Sequence, residues 1–462
     1  MEAQMHKKNN LSAFFSPSSI AVVGASGSTG KISGVILESL RNSFRGAIYP
    51  VNPRYSEVMG LKCYPSIEAI GSPVDLAVYA LPAEAIPEAV FNAGGIAKGA
   101  VVVSGGFAET GPAGAALEKA LKEAARSTGT RVIGPNCMGI YDTVSGLDTF
   151  FIPRERVRRP GRGGLSIISQ SGSFAVTAMD ELATDGIGVA RVVSYGNKAD
   201  VDEADCLDFL AEDPETKAVA IYIESIEDGR RFIEAASRCS AVKPVMAVKV
   251  GKAASGISAA RSHTGAIAGR YEIYRAAFKK AGIIELNGYE DFLVACKAFG
   301  LTTSAAGNRV MIITDGGGMG VNIADACEQM GLSVPGLPEE VEEELRAAFP
   351  SYYGIGNPLD LTGSATDESF AFALSKTMSG DFYDMVIVAA LWGPPALTDN
   401  LPGMLAQKPG FTEKPIIACT PGGAYSSERI KLFHEAGLPA FLTPEAAVRA
   451  ASVLSKRRGR PL

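Results

Sequence analysis

The sequence predicts an α/β protein of three domains, each built on a largely parallel sheet. Two patterns predict it. Three times, a short aliphatic run meets a glycine-rich turn and then an amphipathic stretch, which is how a parallel βαβ unit opens. The other strand-like segments are continuous apolar runs rather than alternating ones, as expected of sheets covered on both faces. A length of 462 residues accommodates three such domains.

The first opening is the run 20–23, a glycine loop over 24–30 and a helical pattern over 32–40. Strands are expected at 47–51, 76–80, 100–104 and 131–133, with a helix at 115–125, giving a domain over 1–150. The second opening is 164–169, the turn Gln170-Ser-Gly-Ser173 and a helix over 174–182. Strands at 189–194, 218–223 and 244–248 and helices at 205–210 and 229–237 complete a domain over 151–300. The third is 309–314, the turn Asp315-Gly-Gly-Gly318 and a helix over 319–330. Strands at 385–389 and 415–419 and a helix at 339–348 belong to a domain over 308–462. The Pro/Gly/Arg-rich stretch 153–164 and the small, polar stretch 301–308 read as linkers.

Bulk properties exclude several functions. Hydrophobic residues are 47% and charged residues 20%, the balance of a globular protein. A net charge of −6 argues against nucleic acid as the main partner. The basic run Arg154, Arg156, Arg158, Arg159, Arg162 could bind the phosphates of a small ligand, or be simply a solvated linker. Seven cysteines without a CxxC pair indicate neither a disulfide framework nor a metal site, and fit reduced thiols in a cytoplasmic protein. No apolar run is long enough to span a membrane, and the first ten residues lack a signal-peptide core.

The first glycine loop lacks the GKS or GKT of a P-loop. It also lacks the acid after the second strand that would hold a ribose diol; Asn52-Pro-Arg54 stands there instead. An arginine suits phosphate, so the loop fits the pyrophosphate of CoA better than NAD. The second loop, Ser169 to Ser173, can hold an anion at a helix start, or Ser171 or Ser173 can simply cap that helix. The three glycines of the third loop allow close approach by an anion or another chain. Of three histidines, His6 lies in a polar start and His434 in a helix end. His263 sits among small residues and glycines, where an imidazole can swing and accept a phosphoryl group. Glu224, at a strand's carboxyl end, is the best carboxylate to orient that ring, or else a surface acid; Lys249 could contact phosphate or equally be a surface lysine.

Gly134-Pro-Asn-Cys-Met-Gly139, Ser169-Gln-Ser-Gly172, Glu224 and Ser262-His-Thr-Gly-Ala266 occur in that order. Together they resemble the NDP-forming acyl-CoA synthetases: the α subunit of the ADP-forming acetyl-CoA enzymes, and more distantly that of the succinyl-CoA enzymes. The resemblance implies a Rossmann-like CoA-binding domain followed by two flavodoxin-like domains. CoA would be bound by Gly24, Ser26, Gly30, Lys31, Asn52 and Arg54. His263 would carry the phosphoryl group and Glu224 would orient it. Phosphate would be held by Ser169, Ser171, Gly172 and Ser173 and by Gly317, Gly318, Met319 and Gly320, with Asn136 and Cys137 nearby. No ATP-grasp pattern is present, so ADP/ATP and Mg2+ are expected on a separate ATP-grasp β chain in an α2β2 assembly. The expected reaction is that of an acid–thiol ligase interconverting an acyl-CoA, phosphate and ADP with an organic acid, CoA and ATP. A non-catalytic CoA-binding sensor is one rival reading; an NAD-dependent dehydrogenase is a second, against which the missing ribose-binding acid counts.

Overall fold

The structure is a computed structural model describing residues 11–253, 255–256, 270–407 and 414–456. These form two compact units. The first ends at Ala183 and resumes over Gly188–Gly288; the second takes Thr184–Ile187 and continues from Tyr289.

The first unit contains two large sheets. Strands β1 (Ser19–Val23), β2 (Ala47–Val51), the short hairpin β3 (Glu57–Val58) and β4 (Leu61–Lys62), β5 (Val74–Tyr79), β6 (Ala97–Val102) and β7 (Arg131–Ile133) come first along the chain. Five of them make a parallel sheet in the order β2-β1-β5-β6-β7. The second sheet takes β8 (Gly139–Asp142), β9 (Arg162–Ser169), β10 (Val189–Ser194), β11 (Ala218–Ile223), β12 (Val245–Lys249) and β13 (Ile284–Leu286) in the order β13-β12-β11-β9-β10-β8. This sheet is parallel except at one edge, where β8 runs antiparallel to β10, pairing Ser194 with Gly139 and Arg191 with Asp142. An antiparallel edge strand needs no crossover helix, so nothing in the local pattern marks it.

The central strands are aliphatic and buried along their length, as in Val189–Ser194 and Val245–Lys249. Helices α1 (Ile32–Ser43), α2 (Pro112–Thr128), α3 (Gly172–Thr184) and α4 (Glu203–Glu212) each bury one face. A single apolar cluster runs from Ile20 and Val78 of the first sheet to Ile168 and Ile221 of the second. Each such side chain removed from water contributes about 1.5–3 kcal/mol before the entropy of ordering is set against it. Asp202 caps α4 in a capping box with Asp205, and Arg131 of β7 reaches Asp200 and Asp205 at 2.8 Å. The basic linker is not merely solvated: Arg154 and Arg159 pair with the fully buried Asp148 at 2.9 and 3.0 Å.

The second unit holds β14 (Val310–Thr314), β15 (Leu359–Asp360), β16 (Met385–Ala389), β17 (Ile416–Cys419) and β18 (Ala440–Phe441), all parallel, in the order β15-β14-β16-β17-β18. Its helices include α5 (Gly317–Gln329) and α6 (Ala424–Glu435). His434 of α6 is buried, with ring nitrogens 2.8 Å from the Asp185 carbonyl and 3.3 Å from that of Ala440, a structural role. In all three sheets a strand followed by a glycine loop lies where successive connections leave on opposite sides: β1 between β2 and β5, β9 between β10 and β11, β14 between β15 and β16. Open α/β sheets bind ligands at that switch point, beyond the carboxyl ends of the strands.

Candidate active site

The loop after β1 is shaped by a close backbone approach. Gly24 has φ +89°, and a Cβ there would lie 2.6 Å from the Ala80 carbonyl oxygen. Its N–H donates to the Val51 carbonyl at 2.9 Å, which fastens the turn to β2. Asn52 donates from Nδ2 to the Ala25 carbonyl at 2.8 Å, and its Oδ1 accepts from the Arg54 N–H at 3.0 Å. A cavity of about 1040 Å³ opens here, with Gly24, Gly30, Lys31, Asn52 and Arg54 in its wall. Ser26 does not line it; it is buried, and its hydroxyl accepts from the Ser28 N–H at 3.2 Å. Lys31 caps α1, whose free N–H groups and dipole favour an anion. Tyr79 also lines the cavity, and its buried hydroxyl has no hydrogen-bond partner among the described residues. Burial pushes that phenol's pKa up. A glycine a side chain would foul, two cations and a spare hydroxyl suit a phosphate-bearing ligand such as CoA.

The loop after β9 lies in a second cavity of about 420 Å³, with Gln170, Ser171, Gly172 and Ser173 in its wall. Ser169 stands behind them, its hydroxyl donating to the Ser171 carbonyl at 2.7 Å. The Ser171 hydroxyl lies 3.4 Å from the Phe174 N–H, so the capping role and an open helix start coexist. Gln170 staples this loop to the end of β11: its Oε1 accepts from the N–H groups of Glu224 and Ser225 at 2.9 and 3.0 Å. Glu224 is buried at that strand end, where it helps raise the Tyr222 phenol above its ordinary pKa, after burial itself. Lys249 of the neighbouring strand is buried, with its ammonium 4.6 Å from the centre of the Tyr274 ring. Burial lowers its pKa against the pull of Glu224. Asn136 and Cys137 also line this cavity, and Val103 belongs to the walls of both cavities. His263 lies outside the described residues.

The remaining expected phosphate residues are in the second unit. Gly316 caps α5, so by position the N–H groups of Gly317 and Gly318 have no intrahelical acceptor, while Met319 and Gly320 donate to the Gly316 carbonyl. A Cβ at Gly317 would lie 2.6 Å from Asp360 Oδ2, whereas Gly318 has open space. Asp315 accepts from the Leu391 N–H at 2.9 and 3.2 Å, and burial pushes its carboxyl up to about 6.

Sequence reasoning missed two acids of the first unit, Glu109 and Glu118, which hold the Asn197 amide at 2.6 and 3.0 Å. They are 88 and 79 residues from it, and no short-range signal connects them.

Three family models match successive stretches of the chain. A family model described as a CoA binding domain matches residues 18–143. One described as a succinyl-CoA ligase like flavodoxin domain matches 162–299, and a ligase-CoA domain matches 310–457. The α subunit of ADP-forming acetate–CoA ligase II from Pyrococcus furiosus is 38% identical over 450 residues, covering 96% of this chain and 97% of that one. The chain belongs to the ADP-forming acetate–CoA ligase family. ADP-forming acetate–CoA ligase I from Archaeoglobus fulgidus is 39% identical over 96% of the chain, which spans only 63% of that longer protein. Among solved structures, the dinucleotide-forming acetyl-coenzyme A synthetase 1 of Ca. Korarchaeum cryptofilum, in complex with phosphate and ADP, superposes with a TM-score of 0.90 at 35% identity, covering 96% of each chain. Members of this ligase family are acid–thiol ligases, and the α/β architecture expected from the sequence is theirs. No helix among the described residues is long and apolar enough to cross a membrane.

Proposed function

We propose that this chain is the CoA-binding, phosphohistidine-carrying α subunit of an ADP-forming acyl-CoA synthetase. The observation that carries the reading is the pair of cavities sharing Val103, one walled by Gly24, Lys31 and Arg54, the other by the start of α3. A CoA bound in the first can extend its thioester into the second, where N–H groups and serine hydroxyls favour phosphate.

Attack of phosphate on the thioester gives an acyl phosphate and CoA. The phosphoryl group then passes to His263, releasing the acid, with Glu224 holding the ring in its nucleophilic tautomer. Phosphoryl transfer asks mainly for positioning and for charge to be met, which the helix start at Ser171–Ser173 would supply. Nucleotide and Mg2+ would be held by a separate ATP-grasp β chain, in keeping with relatives named as α subunits, in an α2β2 assembly. A cytoplasmic location fits such an enzyme. Acetate is the default acid, since the relatives are named for it.

The test uses the chain with its partner, supplied with acetyl-CoA, labelled phosphate and ADP. The expected result is ATP formation, with acid-labile label on the α chain that disappears in His263→Asn. ATP formation undiminished in His263→Asn would overturn the proposal. CoA binding without label or turnover would favour the sensor reading.

A further inference from the structure

We propose that Glu109, acting through Asn197, fixes Asn136 as a hydrogen-bond donor to the acyl carbonyl oxygen during attack by phosphate. This rests on the reading that thioester and phosphate meet in the 420 Å³ cavity.

Asn136 and Asn197 both line that cavity, on loops that bind each other through the backbone. The Asn197 N–H donates to the Pro135 carbonyl and the Ala199 N–H to the Gly134 carbonyl, each at 2.9 Å. Gly196 permits this contact, since a Cβ there would lie 2.3 Å from the carbonyl oxygens of Asn136 and Pro135. The two amides therefore stand on a fixed frame.

Their orientation follows from the acids. Asn197 Nδ2 lies 2.6 Å from Glu109 Oε2 and 3.0 Å from Glu118 Oε2. Carboxylate oxygens only accept, so both amide hydrogens are committed and Asn197 Oδ1 must accept elsewhere. Asn136 Nδ2 lies 3.3 Å from that oxygen and is its donor. One hydrogen remains on Asn136 Nδ2, with no acceptor for it among the described residues. Without the acids either amide could turn over and present an oxygen to the substrate.

Glu109 is the anchor because both its oxygens accept. Oε1 takes the N–H groups of Gly106 and Phe107 at 2.6 and 3.1 Å, while Oε2 takes Asn197. A glutamine there must turn an NH2 group against one of these donors. In Glu118 the second oxygen meets, among the described residues, the Lys122 side chain at 3.3 Å, so a glutamine disturbs less.

In the step served, a phosphate oxygen bonds to the thioester carbon and the carbonyl electron pair moves onto oxygen. The pair returns, the C–S bond breaks and CoA leaves, its sulfur taking the proton that hydrogen phosphate loses. As phosphate attacks, negative charge builds on the carbonyl oxygen, where a pre-aimed N–H acts on the transition state more than on the substrate. Glu109 and Asn197 are positioning residues, and Asn136 is the catalytic donor.

The experiment measures two half-reactions of the assembled enzyme: phosphate-dependent CoA release from acetyl-CoA, and labelling of the α chain by acetyl phosphate. Glu109→Gln should lower kcat for CoA release by about 100-fold, with KM for acetyl-CoA changed less than about threefold and labelling largely kept. Asn136→Ala should do the same, and Glu118→Gln should lose less than about tenfold. CoA release within about threefold of the parent in Glu109→Gln overturns the proposal, as does equal slowing of both half-reactions. Should Glu109→Gln melt early, Asn136→Ala, which leaves the Glu109–Asn197 bonds intact, decides the question by the same criteria. A parent enzyme that releases no CoA would instead sink the functional reading beneath the relay.

Discussion

Replacing Gly24 by alanine tests the cavity assigned to CoA. The new methyl would sit 2.6 Å from the Ala80 carbonyl oxygen and 3.0 Å from Leu81 Cδ2, while φ at this position is +89°. Neither side can retreat freely. The Ala80 N–H donates to the Val23 carbonyl at 3.0 Å, and Val23 and Tyr79 are partners in the β1–β5 register. A left-handed alanine alone costs about 1–2 kcal/mol, and backbone displacement to relieve the contact adds a comparable amount. Part of that total, about 2–4 kcal/mol, appears as lost stability and part as a loop that no longer presents its N–H groups to phosphate. CoA affinity measured by calorimetry should fall about ten- to a hundredfold, since each 1.4 kcal/mol is about a factor of ten. Melting should drop by several degrees, at about 2–4 °C per kcal/mol for a body of this size. CoA affinity within about threefold of the parent, with unchanged melting, would refute the placement of the pyrophosphate at this turn.

Two further outcomes follow from buried charge. Asp315 has a folded pKa of about 6, above the ordinary value, so the folded state holds its proton more tightly than the unfolded chain and the stabilisation present near pH 4 is lost as pH rises through 6. A rise of that size is worth about 3 kcal/mol, so Asp315→Asn should gain stability over the parent at pH 8 relative to pH 5, and urea midpoints that move in parallel for both proteins would contradict this. Arg191 is buried between Asp142 and Asp213, meeting the latter at 3.0 and 3.1 Å, with Phe15 and Phe209 within 5.4 Å of its guanidinium. Arg191→Met leaves two buried carboxylates unanswered at a cost of about 3–5 kcal/mol, and a calorimetric melting shift under about 2 °C would show the pair to be dispensable.

Much of the fold was legible because strong local signals carried it. The runs ending at Val23, Ser169 and Thr314 are aliphatic, are followed by glycine and then helix, and form β1, β9 and β14. What escaped notice depends on partners far along the chain. Leu359–Asp360 and Ala440–Phe441 are two-residue strands that exist only because β14 and β17 present edges to them. The site divides the same way. Glycines, serines and Glu224 announce themselves through helix starts and strand ends. Glu109 and Glu118 do not, because an acid in a helical region looks like a solvated one until Asn197 is folded onto it. Ser26, a CoA contact only by family resemblance, has a hydroxyl that accepts from the Ser28 N–H and so serves the turn itself.

The strand Gly139–Asp142 follows the first sheet in the chain yet completes the edge of the next one, beside Val189–Ser194. Trimming the chain just after residue 142 would therefore strip that polypeptide ribbon from its home. The upstream fragment would trail a sticky apolar tail, and the downstream fragment would bare a row of unmet amide and carbonyl groups ready to zip onto a second copy. Expressed separately, the two halves should clump; mixed while nascent, they should complement each other.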